Sequence, residues 1–235
     1  MAEKYMKNKG IFITVEGPEG SGKSTMVREI QKWLEEVVKR PFLITKEPGS
    51  PHDNVCKNLR ALMLNPENVI DSHAEIFGMM MDRCQHVNKV VRPALEEGKI
   101  VVSDRYIDST YAYQGWGRRD GTEEALEYIN FLNMKTTDNL IPDLTILMIV
   151  DPEVGLKRSL KLEFGRADRF EKEKIEFHNR LHEGFLDLFE KYKDKRNFLL
   201  IDTTDKSQSQ CKSQVIDYLN TFFDNIIQSK STTLT

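Results

Sequence analysis

The sequence predicts an α/β fold with three layers, in which a five-stranded parallel sheet lies between two layers of helices. Short β-rich apolar runs alternate along the 235-residue chain with longer segments whose apolar residues recur at helical spacing. Such alternation is typical of parallel sheets, because each strand is joined to the next by a long crossover connection, usually a helix. With 39% hydrophobic and 30% charged residues, the composition is that of an ordinary globular chain.

The individual strands and helices follow from local patterns. Each predicted strand is a short apolar run, as expected of strands that helices cover on both faces. After the first strand, residues 25–36 carry Met26, Ile30 and Trp33 on one face of a predicted helix. Residues 172–192 form a second predicted helix with an apolar face. The strands are predicted at residues 11–15, 42–45, 100–103, 144–150 and 198–201.

The two ends of the chain are predicted to extend beyond a single domain. Residues 1–9 form an N-terminal extension, 10–228 the domain, and 229–235, polar except for Leu234, a flexible tail. The longest aliphatic run, at 144–150, is too short to span a bilayer, and the charged N-terminus lacks the apolar core of a signal peptide. We therefore expect a cytoplasmic protein with no membrane partner.

Charge, cysteine and histidine content narrow the possible functions further. The formal net charge of −3 argues against a nucleic-acid partner, so we interpret the arginines near the predicted site as contacts for small anionic ligands. The three cysteines are scattered, which fits reduced thiols better than disulfides or a metal site. His178 and His182 stand four residues apart on a predicted helix, where we expect a solvated face and no metal.

One motif lies between the first strand and the first helix. Residues 17–24 match the glycine-rich loop that holds phosphate groups with its backbone N–H groups. In this pattern Lys23 reaches the outer phosphate oxygens and the Ser24 hydroxyl can bind Mg²⁺. Since the strand and the helix that the motif requires are both predicted, we assign a nucleoside triphosphate to the loop. The residues assigned to this site are Gly17, Pro18, Glu19, Gly20, Ser21, Gly22, Lys23, Ser24 and Thr25.

Charged residues lie just beyond the other predicted strands. Glu47, Asp104 and Asp151 should converge on the loop, because the carboxyl ends of parallel strands share one edge of the sheet. Arg105 adds positive charge there; in isolation an Asp-Arg pair is more often a local salt bridge, but its place after a buried strand favours a site. A phosphate monoester has a second pKa of about 6, so it attacks as an anion and needs positive charge, not a base. The pattern favours a phosphorylated acceptor.

The motifs together resemble those of one family. They are the loop at 17–24, Lys46-Glu47-Pro48-Gly49, Arg83, Asp104-Arg105-Tyr106 and Gly165-Arg166-Ala167-Asp168-Arg169. On these residues the chain is similar to thymidylate kinases of the bacterial and phage type, which are P-loop nucleoside monophosphate kinases. The likeness covers about residues 10–202 and includes stretches outside the motifs, such as 142–145 and 152–158.

The resemblance implies a P-loop kinase fold with a helical lid at about 158–172, and a homodimer. It implies the reaction of ATP with dTMP to give ADP and dTDP, with Mg²⁺ at Ser24 and Asp104. Asp104 and Glu19 would help place the metal, the acceptor or its sugar, and the lid arginines would close over the ATP phosphates. From charge alone, a solvated turn is the less favoured alternative for this segment. The catalytic residues implied are Lys23, Arg105, Arg166, Arg169 and Glu19, with Arg158 on ATP.

The resemblance also assigns the residues that bind the base and sugar. Arg83 would donate to a thymine carbonyl, and Tyr113 would lie beneath the sugar and disfavour a 2′-hydroxyl. Relatives usually have phenylalanine where this chain has Met79, so we expect a softer wall that tolerates other pyrimidines. Phe77 is the alternative stacking ring. The remaining substrate-binding residues are Glu47, Arg60, Arg105, Ser109, Thr110 and Gln114.

Two other functions would use some of the same motifs. A deoxynucleoside kinase would need a carboxylate base for its hydroxyl acceptor, and Glu47 could supply it; a kinase of broader pyrimidine specificity is a closer variant. A nucleotide-gated switch protein would use the same loop without efficient transfer. The switch leaves Arg83, Arg105 and the lid arginines without a role.

Overall fold

A parallel sheet of five strands forms the centre of the fold. The structure, a computed structural model, describes residues 10–162 and 168–232, with only the backbone at residue 162 and at 227–232. The predicted N-terminal extension at 1–9 lies outside the described residues. So does Arg166 in the predicted lid.

The strands run in the order β2-β3-β1-β4-β5, all parallel. The three central strands are almost entirely buried, which explains why each is an uninterrupted apolar run in the sequence. The prediction of five strands is confirmed, with differences of one residue at the carboxyl ends. The strands are β1 Ile11–Glu16, β2 Phe42–Lys46, β3 Ile100–Asp104, β4 Leu144–Ile149 and β5 Phe198–Asp202.

Helices connect the strands and cover both faces of the sheet. Three of them continue into short wider π-helical turns, at Leu34–Val38 after α1, Val87–Val91 after α3 and Tyr111–Gly117 after α5. The described helices are α1 Lys23–Trp33, α2 Asn54–Leu64, α3 Ser72–His86, α4 Arg92–Glu96, α5 Ile107–Thr110, α6 Glu123–Thr137, α7 Pro152–Leu162, α8 Ile175–Tyr192 and α9 Gln208–Thr232.

Helices α1 and α9 cover one face of the sheet. Alternate residues of β1, such as Ile11 and Ile13, point toward them, whereas Phe12 packs in the cluster on the other face. Trp33 of α1 meets Phe223 of α9 edge to face, with ring centroids 5.3 Å apart. The carboxyl-terminal helix is therefore part of the core, and it continues to Thr232, into the tail predicted at 229–235.

Helix α8 packs on the opposite face. It begins at Ile175, three residues after the predicted start, and its Phe177 and Phe185 surround the ring of Tyr113. The prediction of a solvated face for His178 is wrong, because this side chain is buried among these apolar residues. His182 donates from Nδ1 to the Val150 carbonyl over 3.1 Å.

The described residues contain neither a membrane-spanning helix nor a cluster of metal ligands. None of the described helices has the length and apolar character needed to cross a membrane. The described His, Cys, Asp and Glu side chains do not form a group of three or more that could hold a metal ion. The three cysteines are free thiols.

Candidate active site

A cavity of about 1120 Å³ follows the carboxyl edge of the sheet. Residues beyond β2 and β3 line one part of it, the loop after β1 lines the middle, and Thr203 beyond β5 lines the other part. This placement is expected for ligands of an open parallel sheet, and it brings Glu47 and Asp104 to the same cavity as the loop, as predicted. The prediction for Asp151 is wrong: Asp151 does not line the cavity, and its Oδ1 accepts the Val154 N–H at 3.1 Å at the start of α7. The size is sufficient for more than one small ligand.

The loop at 17–24 forms the floor of the cavity. Gly20 has a φ of +70°, and a Cβ added to it would lie 1.9 Å from the Gly155 carbonyl oxygen of α7. A residue with a side chain would therefore clash there. Gly22 caps α1 without a side-chain hydrogen bond, so the positive end of the helix dipole and its first N–H groups are available to an anion.

Lys23 lies buried in this floor, with its ammonium group folded back on the loop. Its Nζ donates to the Pro18 carbonyl at 2.5 Å and is 3.5 Å from the Ser21 hydroxyl. Burial, reinforced by the charge of Arg105, lowers the pKa of Lys23 to about 8. A buried cation that is costly to keep charged is stabilised by an arriving anion, which is what the motif requires of this lysine.

Ser24 and Asp104 present oxygen atoms at the mouth of the loop. The Ser24 hydroxyl donates to Asp104 Oδ2 over 2.9 Å, although the two residues are 80 positions apart. Both line the cavity. Hydroxyl and carboxylate oxygens are the ligands that Mg²⁺ prefers, so these two residues fit a magnesium ion.

Arg105 lies between the loop and the rest of the cavity. Its backbone has a φ of +73°, unusual for a residue with a side chain. Its Nη1 donates to the Gly17 carbonyl at 2.7 Å and its Nη2 to Glu19 Oε1 at 2.8 Å. The guanidinium also covers the ring of Tyr113, 4.9 Å from its centroid. The structure thus places Arg105, Glu19 and Tyr113 together.

Glu19 is the acidic residue of the loop. Burial alone would raise the pKa of its carboxyl, but the charges of Arg105 and Lys23 outweigh burial and lower it. The Tyr113 hydroxyl donates to the same Oε1 that pairs with Arg105. Its other oxygen, Oε2, is buried and has no hydrogen-bond partner among the described residues. That oxygen is ready to accept from a hydroxyl or a hydrated cation.

Glu16, which sequence reasoning missed, holds the unusual turn at Arg105 from below. It is fully buried at the end of β1 and accepts the Tyr106 N–H and the Ser109 hydroxyl, each at 2.6 Å. Burial, together with the charge of Asp108, raises the pKa of its carboxyl to about 7. The residue lies between the strand predicted at 11–15 and the loop motif at 17–24, where composition alone gives it no functional signal.

Arg83 stands at the other end of the acceptor region and is 3% exposed. Its Nε pairs with Glu47 at 2.8 Å, its Nη1 donates to Thr110 and Asn133, and its Nη2 donates to the Tyr106 carbonyl. Four hydrogen bonds therefore fix the guanidinium while it still lines the cavity. Such a group is a rigid hydrogen-bonding wall for a planar ligand.

Both carboxylate oxygens of Glu47 have hydrogen-bond partners, one of which is Arg83. Besides Arg83, it accepts from Nδ1 of the buried His86 at 2.7 Å, and His86 Nε2 lies 2.7 Å from the Thr45 hydroxyl. Burial would raise the pKa of Glu47, but Arg83 and His86 lower it. A carboxylate held in this way is a poor general base, because a proton on it would displace two charge-assisted partners.

Most of the predicted substrate residues lie along this part of the cavity. Met79 is half-buried in the wall, one helical turn before Arg83. Phe77 does not lie in the cavity: its side chain is 55% exposed on another face of α3, so its assignment as a stacking ring is wrong. Residues two positions apart on a helix point in widely different directions. The other predicted residues in the lining are Glu47, Arg60, Arg105, Ser109, Thr110, Tyr113 and Gln114.

The predicted lid is described only in part. Arg158 lines the cavity but donates to the Thr203 and Thr204 carbonyls, at 3.1 and 2.8 Å, and so ties α7 to the segment after β5. Arg169 pairs with Glu75 of α3 at 2.6 Å and is not among the cavity-lining residues. The structure therefore does not bring Arg169 to the phosphate loop.

Sequence reasoning also missed the part of the cavity beyond β5. Thr203, Ser207 and Gln208 line it, together with Arg28 of α1. The rule that ligands collect at the carboxyl ends of parallel strands would have indicated this segment, because it follows the fifth predicted strand. These residues extend the site away from Arg83 and past the phosphate loop.

The chain is similar to known proteins over most of its length. The sequence model of the thymidylate kinase family matches residues 15–215. Thymidylate kinases of Carboxydothermus hydrogenoformans and Lactobacillus helveticus are 46% and 41% identical to this chain, over 77% and 83% of it and 84% and 89% of their own lengths. The crystal structure of thymidylate kinase from Ehrlichia chaffeensis matches with a TM-score of 0.69 and 29% identity, over 90% of this chain and 98% of that one. The chain belongs to the thymidylate kinase family.

Proposed function

We propose that this protein transfers the γ-phosphoryl group of ATP to dTMP, giving ADP and dTDP. The observation that carries the proposal is one continuous cavity that joins the phosphate loop to a hydrogen-bonding wall formed by Arg83, Thr110 and Gln114. Arg105 lies between the two parts. A kinase acting on a nucleotide needs this arrangement, since two anionic substrates must be held in line against their mutual repulsion.

The chemistry rests on charge and position. The acceptor phosphate is largely ionised at neutral pH and attacks without a general base. Lys23 and Arg105 neutralise charge on the donor and acceptor phosphates and orient them. Glu19 and Tyr113 hold the Arg105 guanidinium in place through the ion pair at 2.8 Å and the ring face.

Magnesium belongs to this proposal. Ser24 and Asp104 would hold the ion, and Mg²⁺ bound there would neutralise charge on the ATP phosphates. The two side chains already lie within hydrogen-bond distance of each other, so little rearrangement is needed to bring both oxygens to one cation.

A deoxynucleoside kinase is disfavoured by the partners of Glu47. The carboxylate that would have to deprotonate a hydroxyl acceptor is occupied by Arg83 and His86, with its pKa lowered. A nucleotide-gated switch is disfavoured by the hydrogen-bonding wall, because such a protein has no use for a second ligand-binding region beside the triphosphate.

We also propose a homodimer in the cytoplasm. The exposed apolar side chains of α2, α3 and α6 include Leu62, Phe77, Met81 and Phe131, each more than half exposed. Helix α3 packs against both α2 and α6, so these side chains lie on adjoining helices and suit a second copy of the chain. The free cysteines fit the reducing cytoplasm.

Light scattering tests the dimer. Phe77→Glu should reduce the mass in solution to that of a monomer, because it places a charge on the proposed interface. Val37→Glu is the matched control, since Val37 is 61% exposed after α1 and lies away from those helices. A monomeric wild type, or equal effects of both substitutions, contradicts the proposal.

The activity is tested with a panel of acceptors. Purified protein with ATP and Mg²⁺ is given dTMP, dUMP, dCMP, dGMP and thymidine, and ADP release is measured. We expect dTMP to be the best substrate and dUMP a weaker one, because one methyl group changes transfer energy by about 1–3 kcal/mol. Thymidine should be nearly inert. Faster reaction with thymidine than with dTMP would contradict the proposal, and so would no ADP release with any acceptor.

A further inference from the structure

Glu75 of α3 is a buried carboxylate outside the cavity lining that touches the side chain of a predicted base reader. It is 1% exposed, and its Oε1 accepts from Gln114 Nε2 at 2.8 Å. Its Oε2 pairs with Arg118 Nη2 at 3.1 Å and with Arg169 Nη1 at 2.6 Å, and Arg118 Nε makes a longer contact of 3.3 Å with Oε1. Two guanidinium groups thus neutralise the carboxylate, and the amide of Gln114 makes the shorter of the two contacts with Oε1.

This contact determines which end of the Gln114 amide faces the cavity. A carboxylate flanked by two guanidinium groups only accepts hydrogen bonds, so it attracts the amide nitrogen and repels the amide oxygen. Gln114 is 2% exposed and lines the cavity, and no described residue donates to its Oε1. The free end of the side chain is therefore an acceptor.

We propose that Glu75 is a positioning residue that sets base specificity by holding the Gln114 oxygen toward the acceptor base. This inference rests on the proposed function. A base with an N–H group at ring position 3, as in thymine and uracil, can donate to that oxygen. In cytosine the nitrogen at position 3 carries no proton and is itself an acceptor. It would therefore face the Gln114 oxygen without a hydrogen bond between them.

The substitution Glu75→Gln reverses this selection. The new side chain has a single oxygen, which should lie where Oε2 of Glu75 lies, between Arg118 and Arg169, because both guanidinium groups only donate. The nitrogen of the new amide then takes the place of Oε1, where it faces Gln114 and loses the longer 3.3 Å contact with Arg118 Nε. Gln114 must turn its oxygen to meet that nitrogen, and its own NH₂ group faces the base. An N–H donor at this point can pair with N3 of cytosine, which is an acceptor, and it repels the N3–H group of thymine, which is a donor.

The matched control is Glu173. It pairs with the same Arg118 through Nη1 at 2.5 Å, is partly exposed, and makes no contact with Gln114. Glu173→Gln therefore removes a carboxylate from the same arginine without changing the Gln114 amide. An effect that comes only from loosening Arg118 would appear equally in both variants.

The experiment measures kcat and KM for dTMP, dUMP and dCMP by ADP release, with folding followed by circular dichroism. Glu75→Gln should lower the dTMP-to-dCMP ratio of kcat/KM about tenfold, the equivalent of one hydrogen bond, mainly through KM. The dTMP-to-dUMP ratio should stay unchanged, because both bases carry the N–H group. Glu173→Gln should change neither ratio.

Several outcomes overturn the inference. They include a uniform loss of activity on all acceptors in Glu75→Gln and an equal change of the dTMP-to-dCMP ratio in Glu173→Gln. If Glu75→Gln does not fold, Gln114→Ala is measured instead. An unchanged dTMP-to-dCMP ratio in Gln114→Ala would mean that Gln114 does not read the base, and the inference about Glu75 would be wrong. A wild type that does not phosphorylate dTMP is a failure of the proposed function, whereas an unchanged ratio in a dTMP-preferring enzyme is a failure of this inference alone.

Discussion

The phosphate end and the base end of the cavity are built on different principles. At the phosphate end the donors are backbone N–H groups and Lys23, whose ammonium contacts a carbonyl and a hydroxyl and forms no ion pair with a described carboxylate. At the base end the readers Arg83 and Gln114 are each held by a buried carboxylate, Glu47 and Glu75. The phosphate end offers an ammonium group without an ion-pair partner among the described residues, and the base end offers fixed geometry.

The difference has a chemical reason. Phosphoryl transfer spreads charge over several oxygens, so a concentrated positive field stabilises it more than any single directed contact. Discrimination between bases depends on donors and acceptors a few ångströms apart, so the reading groups must not rotate. We therefore expect changes at the phosphate end to alter rate, and changes at the base end to alter substrate ratios.

Lys23→Ala should have the largest effect. Removing the buried ammonium should lower kcat about 10²–10³-fold and leave the dTMP-to-dUMP ratio unchanged, because the lost charge acts on the transferred group. Lys32→Ala is the control, since this lysine lies on the same helix with a 60% exposed side chain. Steady-state assays of both variants check this, and near wild-type turnover in Lys23→Ala would contradict the role of the loop.

Arg105→Lys should follow. Lysine keeps the charge but loses the planar fork that contacts Gly17 and Glu19, so kcat/KM for dTMP should fall about 10- to 100-fold while ATP affinity changes little. Calorimetry with ATP and kinetics with dTMP separate the two. The control is Arg92→Lys, because Arg92 donates to the Thr137 carbonyl and does not line the cavity. Equal losses for both nucleotides would mean general disruption.

Glu16 joins the two ends and should make stability depend on pH. Its pKa is raised from 4.5 to about 7, so the folded state keeps a proton that the unfolded chain has lost between these values. The stability that this proton provides is therefore lost as pH rises toward 7. Glu16→Gln cannot ionise, so its free energy of unfolding relative to wild type should rise by about 2–3 kcal/mol between pH 5 and pH 8. Urea unfolding at both pH values measures this, and a constant difference would contradict it.

Met79→Phe should have the smallest effect and act on the ratio alone. A flat ring restrains the base more than a flexible thioether does, so the dTMP-to-dUMP ratio should rise a few-fold with kcat nearly unchanged. Met81→Phe is the control, because Met81 is 55% exposed on another face of the same helix. An unchanged ratio in Met79→Phe would mean that Met79 does not contact the base.

The sequence predicts some of these features better than others, for physical reasons. Strands such as Leu144–Ile149 are buried on both faces and stand out as apolar runs, and the loop at 17–24 is recognisable because its backbone geometry restricts its residues. The family assignment carried by these motifs is confirmed by the comparisons. The hydrogen-bond network of Arg83 is not predicted by local sequence patterns, because its partner Asn133 lies 50 positions away in the chain.

Helix direction explains one error and one omission. Met79 and Arg83 are four residues apart and share a face of α3, whereas Phe77 and Met81 share another face. Testing that spacing would have excluded Phe77 from the cavity. Glu75 lies eight residues before Arg83, close to two helical turns, and so falls on the same side as the base readers. Its acidic side chain, on the side of α3 that carries Met79 and Arg83, was the available signal.

The most direct test of the division between the two ends is a competition in one tube. Equal concentrations of dTMP and dUMP react with ATP, and the dTDP-to-dUDP product ratio is measured by chromatography for the wild type, Arg105→Lys and Met79→Phe. We predict that Arg105→Lys forms far less total product at the wild-type ratio, whereas Met79→Phe forms similar product at a higher ratio. A ratio that changes in Arg105→Lys as much as in Met79→Phe would contradict the account.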